Sequence, residues 1–179
     1  MPEQVHIAVR YTGIRLIGEL CEWLNKHPVF IGNLIVLSYQ NFLQFIDRFF
    51  SRKIKDSALN FVCLGFNNPQ LCQVAANTML SICTQCQQHM VNHLETLIGI
   101  VLSVDNIEMP GDASMELLKG AIVILCNLPS NEITAPLLKI CNIQLEGLKK
   151  ALNNEIKSDS FKSLPLYWLD RFTAIFRLV

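Results

Sequence analysis

The sequence predicts an all-α fold, and within that class a HEAT/ARM-type α-solenoid: antiparallel helix pairs, about three and a half repeats in length. Three observations carry this expectation. Apolar residues recur at three- and four-residue steps along most of the chain, and few alternating runs mark strands. Prolines open successive helices at repeat-like intervals: Pro69 to Pro110 is 41 residues and Pro110 to Pro165 is 55, the longer one containing a polar loop. Two-helix HEAT-type repeats run roughly 40–47 residues. Finally, 51% of the 179 residues are hydrophobic and 17% charged, and mean hydropathy is +0.32. Average soluble domains carry roughly 25% charge, and stacked repeats, apolar on two sides, account for part of the excess.

Each element follows from local signals. From Val5 to Leu24, residues Val9, Leu16, Ile17, Leu20, Cys21 and Leu24 share a helical stripe, with Arg10, Arg15, Glu19 and Glu22 on the other side. Asn25-Lys26-His27-Pro28 is a stop. Pro69 opens the next clear helix, at the first-turn position where a missing N–H costs nothing. Its stripe is Cys72, Ala75, Ala76, Met79, Ile82, Cys83 and Cys86. A helix from about His93 to Val104 ends at Asp105-Asn106. Pro110-Gly111-Asp112 starts another, with Met115, Leu118, Ala121, Ile122, Leu125 and Cys126 on its face and Leu128-Pro129 at its end. Ser130-Asn131-Glu132 suits an N-cap for a helix to about Leu152, with Pro136 in its first turns. Residues 153–163 are the most polar stretch and are expected to form a loop. Pro165 opens a last helix, Leu166 to Leu178.

Fifteen Lys and Arg balance fifteen Asp and Glu, and the pI is about 6.9. A nucleic-acid-binding domain usually carries a basic excess, so this composition favours no polyanionic partner. The seven cysteines (Cys21, Cys63, Cys72, Cys83, Cys86, Cys126, Cys141) are odd in number. No charged-then-apolar secretory signal opens the chain, so free thiols in a reducing compartment are expected, most of them small apolar fillers.

One segment breaks the repeat. Pro2 to Pro69 spans 67 residues, too many for one helix pair. Val29–Ile46 is an 18-residue run without a charge. Three readings are open. A transmembrane helix would sit at the lower length limit and would place Asn33, Gln40, Asn41 and Gln44 in the bilayer. The second is an extra buried helix. The third, which the spacing favours, is a translated intron: Val29 has a codon beginning GT, Phe49-Phe50 encodes a pyrimidine tract, and Ser51 or Arg52 can contain AG. Removing the 23 residues Val29–Ser51 shortens the interval to 44, a normal repeat. The chain thus divides into 1–28, the first helix of a repeat; 29–51, the extra segment; and 52–179, HEAT repeats with the polar loop at 153–163.

Candidate chemistry is sparse. Cys83-x2-Cys86-x2-His89-x3-His93 has zinc-ligand residue types. On one helix, however, Cys83, Cys86 and His89 spread over about 120° of surface, and they meet at one ion only if the helix breaks near Gln87-Gln88. Core thiols and helix-end histidines are the expected reading. No GxSxG, P-loop or GxGxxG is present. Gly13 and Gly18 are expected to permit close helix packing, Glu19 and Glu22 to be solvated, and Trp23, Tyr167 and Trp168 to pack within repeats. No catalytic, cofactor-binding or metal-ligating residue is assigned, and the chain is not expected to be an enzyme.

Particular strings then carry a resemblance. Val9-Arg10-Tyr11-Thr12 with Ile17-Gly18-Glu19-Leu20, Asn68-Pro69-Gln70-Leu71 through Ala75-Ala76 to Ser81-Ile82-Cys83, Leu117-Leu118-Lys119-Gly120-Ala121 to Leu128-Pro129, and Leu169-Asp170-Arg171-Phe172 to Ile175-Phe176-Arg177 resemble the transportin-3/importin-13 group of β-karyopherins, best its transportin-3 branch. The resemblance covers nearly everything outside Val29 to about Ser51. It implies a middle fragment of a HEAT-repeat nuclear transport receptor, at home in cytoplasm and nucleus. Such a receptor binds protein cargo such as arginine/serine-rich splicing factors, nucleoporins and, through N-terminal repeats expected to be missing here, Ran-GTP. No cofactor, nucleic acid or membrane is implied. Two alternatives stand beside it: a small membrane-anchored helical protein spanning at 29–46, and a Cys/His zinc-binding helical module. The apolar last helix, Ala174 to Val179, is expected to lack a covering neighbour.

Overall fold

Proline and side-chain caps set the helix starts. The computed structural model describes residues 6–27, 61–103, 109–156 and 160–179. Eight α-helices lie wholly within them: α1 (Ile7–Glu19), α2 (Cys21–Lys26), α3 (Pro69–Gln85), α4 (Gln87–Met90), α5 (Leu94–Ser103), α6 (Gly111–Leu125), α7 (Ser130–Leu152) and α8 (Pro165–Leu178). No strand occurs among the described residues. At α1, His6 Nδ1 accepts from the Ala8 amide at 3.2 Å. At α3, Asn68 Oδ1 accepts from the Gln70 amide at 2.9 Å and Pro69 fills the first turn. Pro165 opens α8 in the same way.

Local geometry departs from the sequence expectation at three places. The expected first helix is two, because Leu20 leaves helical geometry at φ −90°, ψ 4°. Its N–H is shared between Leu16 O (3.0 Å) and Ile17 O (3.2 Å), a tightened final turn. Ser130, the expected cap of α7, is instead its first helical residue. Pro129 takes the flanking position, with φ −56° and ψ 144°, and its carbonyl accepts from the Glu132 amide. The polar loop holds a 3₁₀ turn, Phe161–Ser163. The loop is entered through Asn154 at φ 57°, while Glu155 N–H returns to Lys150 O at 2.9 Å. This is a left-handed helix stop, with asparagine where glycine is commonest.

The helices form two layers. α1, α3, α6 and α8 lie side by side in one row; α5 and α7 form the second layer behind α6 and α8. Within the row α1 and α3 run parallel, and so do α6 and α8. Thr78 Oγ1 on α3 donates to Ile14 O on α1 (3.1 Å), and one turn and more further along Cys86 Sγ donates to Cys21 O (3.4 Å). Likewise Arg171 on α8 reaches Ser114 near the start of α6, and Cys126 Sγ beyond its end donates to Leu178 O (3.2 Å). The four-residue connection from α6 to α7 reverses direction, giving the antiparallel pair of a helical-repeat unit. α6 and α7 form such a pair among the described residues; α5 packs against α6 and α7, and Met79 of α3 shares a hollow with Leu97 and Ile100 of α5. The segment 29–51, and with it the 29–46 run, lies outside the described residues.

One core runs the length of the row, from Ile14, Ile17 and Cys21 through Leu71, Ala75, Met79 and Ile82 to Leu117, Ala121, Ile122 and Ile175. Glycines let the helices approach. A Cβ at Gly65 would lie 2.7 Å from Ala75 Cβ, and one at Gly147 would run into the Trp168 ring. Gly13 and Gly18 also face neighbours, Phe61 and Thr78 respectively. Gly147→Ala should therefore destabilise the fold. Overpacking a rigid indole costs about 1–3 kcal/mol, against a helix-propensity gain of about 1 kcal/mol. Urea unfolding of the two proteins checks this, and a net gain in stability would contradict the packing.

Candidate interaction surface

Where α6, α7 and α8 meet, the apolar core is interrupted by one buried cation. Arg171 on α8 is fully buried. It follows Trp168 by three residues and precedes Ile175 by four, so it occupies the buried stripe of α8. Its Nε donates to Gln144 Oε1 on α7 at 2.5 Å. Its Nη1 donates to Ser114 Oγ on α6 (2.9 Å) and to Tyr167 Oη (2.8 Å). Ser114 Oγ donates onward to Gly111 O and lies 2.8 Å from Tyr167 Oη. A consistent assignment has the tyrosine hydroxyl donating to the serine while accepting from the guanidinium. Arg171 Cζ lies 5.4 Å from the Tyr167 ring centre and 5.9 Å from that of Trp168, within cation–π range. Its Nη2 is buried without a hydrogen-bond partner.

No carboxylate pairs with Arg171 among the described residues. The cluster is thus a three-helix lock built from neutral acceptors around a permanent charge. It fixes the angle at which α8 continues the row. Sequence reading gave Arg171 no separate role; a lone arginine on an apolar stripe, between Trp168 and Ile175, was the available signal.

The thiols behave as core atoms. All seven cysteines are free, five of them buried. Burial pushes the Cys21 and Cys63 thiols up to about 12 and Cys72 up to about 11. Cys83 is raised further by burial, with Cys21, Cys86 and Cys63 nearby adding to the shift. A nucleophilic or metal-bound cysteine needs the opposite shift. The Cys83/Cys86/His89/His93 string does break, at Cys86 (φ −109°, ψ 32°) between α3 and α4. Even so, no three Cys, His, Asp or Glu side chains converge on one point among the described residues. Beside the string, Cys63, Met79, Met90, His93, Thr96, Leu97 and Ile100 line a hollow of about 20 Å³. That is room for about one water and far below the several hundred Å³ of a ligand pocket.

The other candidates are surface groups. Glu19 and Glu22 pair with Arg15 (3.8 Å) and Lys26 (3.1 Å), all largely exposed. Trp168 is buried, and its Nε1 donates to Lys162 O at 2.8 Å. Trp23 departs from the packing expectation: it is 42% exposed and stacks on His27 at 4.4 Å. Among the described residues α7 and α8 leave Leu138, Leu145, Leu152, Leu166, Leu169 and Phe176 exposed. No helix among the described residues is long and apolar enough to cross a membrane.

A row of stacked helices whose described residues enclose no ligand-sized cavity defines a helical-repeat scaffold. The sequence profile of the transportin-3/importin-13 third TPR domain matches residues 1–46 and 40–100, and the chain belongs to the transportin-3/importin-13 family. Along its whole length the chain is also similar to Transportin MOS14 of Arabidopsis thaliana, at 20% identity over 184 residues. It spans only 17% of that relative's length.

The lock predicts an order of effects. Gln144→Leu leaves the buried guanidinium with one acceptor fewer and should cost about 2–4 kcal/mol. Arg171→Met removes the charge, leaves Ser114 and Tyr167 bonded to each other and orphans only one neutral acceptor, Gln144 Oε1, so it should cost less than an under-bonded buried cation. Chemical denaturation of the two variants tests the order; if Arg171→Met were the more damaging, the charge would be stabilising in its own right.

Proposed function

We propose that this chain is part of a nuclear transport receptor of the transportin-3 type, working by binding and release without catalysis. Its partners are protein cargo, arginine/serine-rich splicing factors among them, and nucleoporins, within a cycle driven by Ran-GTP between cytoplasm and nucleus. The observation that carries this reading is the row α1–α3–α6–α8 backed by α5 and α7, in a chain whose first hundred residues match the family profile. Such a row gives a partner a long, gently varying surface in place of a pocket. Among the described residues Lys119 pairs with Glu116 and Lys149 with Glu146, and the whole chain balances fifteen basic against fifteen acidic residues, which lends no support to a nucleic-acid partner.

Titration calorimetry of the purified chain against an arginine/serine-rich domain, and separately against a phenylalanine-glycine repeat peptide of a nucleoporin, tests the proposal. Saturable binding to at least one is expected, at affinities typical of transient contacts. Absence of heat with both, from a chain shown by circular dichroism to be helical, would overturn it.

The extra length before α3 belongs to the same proposal. Pro69 follows Ile7 by 62 residues but precedes Gly111 by 42, yet α1 packs directly beside α3, as α6 does on its other side. Some twenty residues are surplus to the repeat, which supports reading 29–51 as a translated intron. Sequencing transcripts across the His27–Arg52 codons should recover a spliced form lacking them; a single product that retains them would refute this.

A further inference from the structure

A second group of metal-type donors meets in the fold outside any sequence motif. The hollow of about 20 Å³ beside α3 has Cys63, Met79, Met90 and His93 on its wall, with Leu97 and Ile100 of α5 closing it. A thiol, two thioethers and an imidazole therefore share one water-sized space. They come from separate stretches. Cys63 precedes a 3₁₀ turn, Leu64–Asn67; Met79 lies in the second half of α3; Met90 ends α4; His93 ends the 3₁₀ turn Val91–His93 that leads into α5. The helix break at Cys86 turns the chain so that Met90 and His93 come back to Met79. His93 of the zinc-like string reaches the hollow, and its companions there are donors from elsewhere in the chain.

The donor set selects the ion. Zinc takes its protein ligands from Cys, His, Asp and Glu. Thioethers are soft donors, and two of them beside a thiol suit Cu(I). Charge gives the same answer. Cys63, Met79 and Met90 are buried, and no Asp, Glu, Lys or Arg lines the hollow among the described residues. One thiolate neutralises one monovalent ion, whereas a divalent ion would leave a net charge buried at high cost. Without an ion, burial pushes the Cys63 thiol up to about 12. A coordinated cation supplies the opposite shift itself: the S–H bond breaks, the metal–sulfur bond forms and the proton leaves to water. Size fits as well. The hollow has room for about one water. Metal bonds to sulfur and nitrogen of about 2.0–2.3 Å are shorter than contacts to water, so the wall must close inward. Methionine, unbranched with three rotatable bonds, is the side chain that can do so. His93 and Thr96, the half-buried members of the wall, give an ion its way in.

We propose that Cys63, Met79, Met90 and His93 form a binding site for one soft monovalent cation, Cu(I), where α3, α4 and α5 meet.

Anaerobic titration of the full chain with Cu(I), in competition with the chromophoric chelator bicinchoninate, tests this. One tightly held ion per chain is expected, and X-ray absorption should show sulfur and one nitrogen around it. Met79→Leu with Met90→Leu nearly conserves volume and should cost little stability. It should weaken binding by about 100-fold or more, since even the outer partners of metal ligands are worth up to about that. Cys63→Ser should do the same. Cys126→Ser, at an exposed thiol that bonds Leu178 O, should leave affinity unchanged. An equal concentration of Zn²⁺ should not displace the ion. Circular dichroism checks folding of each variant, and the X-ray absorption of the unaltered chain decides where a variant does not fold. Failure to hold copper, coordination by sulfur alone, full affinity in the methionine variant, loss of affinity with Cys126→Ser, or displacement by zinc would each overturn the proposal. None of these outcomes bears on cargo or nucleoporin binding, so this inference and the proposed function fail separately.

Discussion

The inner helices of the row, α3 and α6, are apolar on two opposite sides, and the structure depends on covering both. A single helix pair buries too little surface to fold alone, and stacking is what makes the core continuous. α3 shows the requirement most fully. Leu71, Cys72, Val74, Ala75, Ala76, Met79, Ile82 and Cys83 are all buried, and they point both toward α1 and toward α6. Small residues then set how near the neighbours come. Ala75 beside Gly65 and Cys83 beside Gly120 bring backbones together where leucines would hold them apart. Cysteine suits this role: its side chain is barely larger than alanine's, and burial keeps its thiol protonated and inert.

The Arg171 lock is the exception to this apolar logic, and its choice of partners has a consequence. Gln144, Ser114 and Tyr167 present neutral oxygen atoms to a guanidinium that stays charged in proteins. An arginine–carboxylate pair in the same place would weaken as the acid protonated. This cluster holds no acid, so it keeps its geometry across ordinary pH, and its burial limits screening by salt. It ties three helices from two layers through one side chain. The angle between α8 and α6 is therefore fixed by directional bonds, where apolar packing alone would allow sliding.

Much of the fold was legible in the sequence because the signals are local. Pro69 and Pro165 mark helix starts, and the apolar spacing in residues 69–86 and 111–125 gives two stripes directly. What was not legible depends on contacts between distant residues. The break at Leu20 is written in no breaker residue; it arises where α1 must end its run against α3 and α2 begin again with Cys21 under Cys86. The polar lock is assembled from positions 114, 144, 167 and 171, which share no motif and meet only once three helices are packed. The zinc-like string failed for the same reason in reverse: four residues close in sequence, with a helix break between them, do not converge in space.

Toward α6, α8 meets small residues: Gly111, where a Cβ would touch the Phe161 and Tyr167 rings at 3.5 Å, and Ser114, whose hydroxyl bonds both the Tyr167 hydroxyl and Arg171. The tyrosine can seat because the receiving helix is shallow there. The same fit recurs where α7 meets α8, with Gly147 facing the Trp168 ring. In both contacts a bulky ring is met by a small residue, so the position of α8 is set by shape as well as by the hydrogen bonds of Arg171.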